Sequence, residues 1–68
     1  MTFTQRVTIK HALFTARVSY EKNLATAQAM CAQGFTEALS LIDYWEKAIR
    51  EVDDARDAMD ALTAKQAA

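Results

Sequence analysis

His11 and Cys31 are the only histidine and the only cysteine of the chain, so any acid–base or thiol chemistry must begin with them. His11 would act as a general base beside a carboxylate from the second half, Asp57 being the best placed. Catalysis also needs a nucleophile, an orienting group, an oxyanion site and a cleft. No such constellation accompanies His11, which reads as a surface histidine, and the chain reads as a non-enzyme without a small-molecule substrate. Metal binding has no better support. Met30, Cys31 and His11 are scattered, and Asp53, Asp54, Asp57 and Asp60 have the spacing of a solvated helix face, not the alternating ligands of a calcium loop. No metal and no cofactor is expected. Cys31 can form no disulfide within the chain and reads as a small hydrophobe in a reducing, cytoplasmic setting.

Two other groups carry recognition chemistry. Arg6, Lys10 and Arg17 are four and seven residues apart, which gathers three cations on one helical face beside Phe14. Tyr44, with Leu41 one turn before it, has the size and low entropy cost of a binding anchor at the rim of an apolar stripe, while its neighbour Trp45 reads as core.

The elements that position these residues follow from composition. One glycine, Gly34, and no proline in 68 residues leave almost no punctuation, and 51% hydrophobic with 25% charged residues is a globular balance. A few long helices fit, whereas a meander of strands does not. No apolar run reaches the eighteen or so residues of a membrane span, and Arg6, Lys10 and His11 interrupt the start where a secretory signal would run. Gly34 sits mid-chain, as expected for a residue that ends a helix in the left-handed conformation, and Thr36 is placed to cap a second helix with Glu37 in its first turn. In that second helix Ala38, Leu41, Trp45, Ala48, Val52, Ala55, Met59 and Leu62 alternate spacings of three and four, widened by Ile42 and Ile49.

The first half is rich in strand formers, among them Val7, Thr8, Ile9, Phe14, Val18 and Tyr20. A short β-hairpin pairing residues 2–9 with 14–21, followed by two helices, is the alternative. The connecting Lys10-His11-Ala12-Leu13 has no turn residue. Ile9, Leu13, Ala16, Tyr20, Leu24, Ala27 and Cys31 hold a helical spacing unbroken, and Thr2 with Gln5 three residues on has the spacing of a capping box. The chain is therefore read as all-α: helix 1 about 3–32, a turn at 33–35 and helix 2 about 36–64, one antiparallel helical-hairpin domain spanning 1–68.

Charge supports that topology. Residues 1–33 carry four bases against one acid, a net +3, and residues 34–68 four bases against eight acids, a net −4. With the turn at Gly34, residue i faces about 68 − i, which sets Arg17 near Glu51, Glu21 near Lys47 and Lys22 near Glu46, all opposite in sign. Such exposed pairs select a register more than they stabilise it.

One apolar set is left over. At 100° per residue, Phe3, Val7, Phe14, Val18 and Ala25 lie 100–160° round from Tyr20, outside the seam that helix 2 covers. A strip of this size is an interface. A second copy of the chain would cover it and give a four-helix bundle, and another protein would do so as a target.

The two-helix length, the inferred dimer and Phe14 among the helix-1 cations resemble the Rop family of plasmid proteins, which clamp paired RNA loops on a four-helix bundle. That resemblance is architectural, with no stretch of matching sequence, and implies RNA as the partner of Arg6, Lys10 and Arg17. The net charge of −1 favours protein instead. The expected function is a small protein-binding regulator, inhibitor or adaptor that docks by the helix-1 face, with the three cations orienting the partner. An RNA-binding dimer or a purely structural assembly subunit are the alternatives.

Overall fold

A computed structural model describes the backbone of residues 2–67 and their side chains except those of residues 63 and 65–67. Helix α1 runs from Phe3 to Ala32 without interruption, so the strand-forming residues of the first half are helical, and no strand occurs among the described residues. Propensity yields here to the unbroken apolar seam, which helix 2 can bury only if residues 9–31 coil. The expected capping box opens α1. The Thr2 hydroxyl accepts from the Gln5 backbone N–H at 3.1 Å, and the Gln5 side-chain oxygen accepts from the Thr2 N–H at 2.9 Å.

Gly34 ends α1 with φ +98°, the one positive φ among the described residues. The Phe35 N–H donates to the Met30 carbonyl at 3.0 Å and the Gly34 N–H to the Cys31 carbonyl at 3.0 Å, the paired bonds of a Schellman motif. The chain then makes a 3-10 turn over Thr36–Ala38 and continues as α2 from Leu39 to Ala67. Thr36, expected as the N-cap, lies inside this turn; Phe35 takes the cap position and makes no side-chain hydrogen bond there. The tight turn leaves no extended residue between Phe35 and the helix for a hydroxyl cap to occupy.

The two helices pack antiparallel as a hairpin one layer thick, with principal extents of 52 × 16 × 11 Å. All seven positions of the helix-1 seam are buried or half-buried, Ala27 most completely at 2% exposure. Across from them Tyr20 and Trp45 pack with ring centroids 5.4 Å apart, and Tyr44 meets Trp45 edge-to-face at 4.8 Å.

The helix-2 seam differs from its expected line. Ala38, Ile42, Trp45, Ile49, Val52 and Met59 face helix 1, so Ile42 and Ile49 are core, while Leu41, Ala55 and Leu62 are exposed. The apolar stripe of helix 2 is wider than one neighbouring helix can cover, and α1 sits on one side of it. Among the described residues only Ala27, Ala38, Val52 and Met59 are buried apolar residues, and no large side chain is wholly buried. No helix of the described residues is long and apolar enough to cross a membrane.

Candidate functional site

The outer strip of α1 has the placement its spacing predicts. Phe3 is 73% exposed, Phe14 61% and Val7 50%, with Val18 and Ala25 also open along the same face. No described residue buries them. Between this strip and the core lie the three cations, and two of them are tied to helix 2. Arg17 donates from Nε to Asp53 Oδ1 at 2.8 Å and from Nη2 to Asp53 Oδ2 at 3.3 Å, and its Nη1 pairs with Glu21 one turn on. Lys10 pairs with Asp60. Arg6 is half-buried at the same border.

The electrostatic consequences are local. The hydrogen bond from Arg17 holds the Asp53 carboxyl below the usual aspartate range, and the bond from Lys10 does the same for Asp60. Asp53 in turn raises Arg17. Arg17 was expected opposite Glu51 and meets Asp53 instead. Glu51 stands at about the right height along the hairpin but on its other side, because two residues along a helix is a rotation of about 200°. For the same reason Glu21 is taken up by Arg17, and neither Lys22 nor Lys47 makes an ion pair with a described residue.

That other side carries a second apolar face, missed in the sequence. Leu13 and Tyr20 of α1 with Tyr44, Ala48, Val52 and Ala55 of α2 line an open groove of about 360 Å³, with Lys47 and Glu51 at its edge. Leu41 and Leu62 extend it along α2, both exposed, as is Tyr44 at 62%. Tyr44 and Leu41 thus belong to a continuous surface and are not merely the rim of a core. The missed signal was the spacing of Leu41, Tyr44, Ala48, Ala55 and Leu62, a line of its own beside the buried one.

The remaining chemistry-bearing residues stay apart. His11 is exposed and has no hydrogen bond or ion pair to a described carboxylate, Asp57 included. Cys31 is a half-buried free thiol. No group of three or more metal-ligating side chains occurs among the described residues. A shallow hollow beside Thr4, Gln5, Thr8 and Ile9 has no titratable side chain in its lining. Comparison with known proteins places the chain in no family: no family model, no curated protein and no solved structure matches it.

Proposed function

We propose that this chain is a small, cytoplasmic protein-binding regulator, inhibitor or adaptor that docks onto a target through the outer face of helix 1. The observation that carries this reading is the uncovered row of Phe3, Val7, Phe14, Val18 and Ala25 on a helix whose opposite side is already spent on the hairpin core. A soluble surface that keeps two phenylalanines this open on one face is an interaction surface. Arg6, Lys10 and Arg17 border the row and would set the partner's orientation against an acidic rim.

The state of the cations favours protein over the RNA alternative. Each nitrogen of the Arg17 guanidinium faces a carboxylate of Asp53 or Glu21, and Lys10 is held by Asp60. A phosphate would have to displace those acids, and the acidic helix 2 beside it would oppose a polyanion.

Photo-crosslinking tests the reading. A photoreactive side chain at position 14, compared with one at the exposed position 43 of helix 2, is expected to give one discrete adduct to another protein in the host lysate, abolished by Val18→Asp. Crosslinks to RNA that vanish with rising salt and on replacing Arg6, Lys10 and Arg17 would overturn it in favour of nucleic acid. Adducts with the chain itself alone would leave it a structural subunit.

A further inference from the structure

We infer that the groove face of helix 2 is where two copies of this chain associate, α2 against α2 in antiparallel order, leaving the outer face of helix 1 for a target. The inference concerns a different surface from the one proposed above and does not depend on it. A single hairpin has four buried apolar residues among those described and no large side chain wholly enclosed, so a second layer is needed to complete a core. The groove face offers that layer an apolar line along α2, where Leu41, Tyr44, Ala48, Ala55 and Ala58 recur at spacings of three, four and seven, with Glu51 at the position between Ala48 and Ala55.

Size and charge select the second copy as occupant and fix its register. If residue i of one α2 lies level with 99 − i of the other, Leu41 meets Ala58 and Tyr44 meets Ala55, a large side chain against a small one in these outer layers, and in the central layer Ala48 meets Glu51, whose carboxylate can turn out to the flank. On the flank away from helix 1, Lys47 of each copy then falls beside Asp54 of the other, twice by symmetry, with Glu51 within reach of the same lysine. Slipping by one heptad in either direction sets Asp54 against Asp54 or Lys47 against Lys47. Lys47, Glu51 and Asp54 make no ion pair with a described residue in the hairpin, so the dimer would use charges that the fold leaves over.

Sedimentation equilibrium of the full chain tests this, with helicity followed by circular dichroism. The wild-type chain is expected to sediment as a reversible dimer. Lys47→Asp and Asp54→Lys should each raise the dimer dissociation constant about ten-fold or more without loss of helix, and the double exchange should restore it to within about three-fold. Phe14→Asp with Val18→Asp should leave the dimer intact. A chain that remains monomeric at millimolar concentration would overturn the inference. So would a dimer indifferent to both charge changes, single variants not rescued by the double exchange, or a dimer lost with the helix-1 substitutions. The last result would bring self-association to helix 1, whereas failure to capture a target with an intact dimer would count against the functional reading alone.

Discussion

Arg17 and Asp53, 36 positions apart, are joined by a two-pronged ion pair, with Nε–Oδ1 at 2.8 Å and Nη2–Oδ2 at 3.3 Å. With Lys10–Asp60 it ties one side of the hairpin over about two helical turns, and the two pairs lie seven residues apart on each helix. That repeat keeps both pairs on the same side of the two helices.

The acid limb of the stability curve follows from these pairs. Asp53 and Asp60 titrate below the ordinary aspartate value of 3.8 in the folded chain, so the unfolded chain binds more protons in that range. Their contribution is complete above the ordinary value and is lost as pH falls through the lowered folded values. Thermal melts from pH 7 downwards should stay level until pH approaches 4 and then decline. Asp53→Asn with Asp60→Asn should lower the neutral plateau slightly and flatten the decline. An unchanged acid limb in that double variant would mean that neither pair contributes. Because all four side chains are solvent-exposed in part, added salt should diminish the difference between variant and wild type.

The turn makes a separate prediction. A Cβ on Gly34 would meet nothing within 4 Å, so packing does not forbid a side chain there; the φ of +98° does. Gly34→Ala should destabilise the hairpin by roughly 1–2 kcal/mol through left-handed strain alone. Gly34→Asn should cost less, since asparagine tolerates that region. Chemical denaturation of the three chains measures the ordering, and equal losses for both variants would put the cause elsewhere.

Ala27 is 2% exposed and Ala38 1%, both near the turn, where small side chains let the backbones approach. Ala27→Leu should overpack this end and destabilise by about 1–3 kcal/mol despite raising hydrophobicity. Ala25→Leu, two residues away on the exposed face, should stay within about 0.5 kcal/mol of wild type. The contrast between the two, read from urea midpoints, separates steric crowding from a general effect of leucine.

These residues also show what could be read from the chain. The seam of helix 1, the capping box at Thr2 and Gln5 and the left-handed Gly34 were legible because each is a short-range pattern whose geometry the helix itself fixes. The outer strip with Phe3 and Phe14 was legible for the same reason. What escaped was azimuth between helices. Counting from the turn gave the height of Arg17 against helix 2, yet height does not say which side of the neighbour is met, so Glu51 was expected where Asp53 stands. The same gap hid the groove face. An apolar stripe broader than its partner can cover looks like a well-made core until the partner's position within it is known, and Leu41 and Leu62 were therefore assigned to a seam they do not enter.

The surface assignment can be separated from the fold by two substitutions of the same chemistry. Phe14 is 61% exposed and Val18 lies at the edge of exposure, so neither contributes much to the hairpin core. Phe14→Asp with Val18→Asp should change the unfolding free energy by no more than about 1 kcal/mol, two surface substitutions of about 0.5 kcal/mol each. Tyr20→Asp, by contrast, removes the ring that packs on Trp45 and puts a carboxylate among apolar neighbours, so it should unfold the chain or nearly so. Calorimetry ranks the three proteins. If the helix-1 strip is a docking face, the first variant melts like wild type and, with the photoreactive side chain moved to position 7 of the same strip, gives no adduct, whereas that probe in the otherwise wild-type chain does. A large fall in its melting temperature would show instead that the strip is buried in the native assembly and that its apolar side chains serve stability, not recognition.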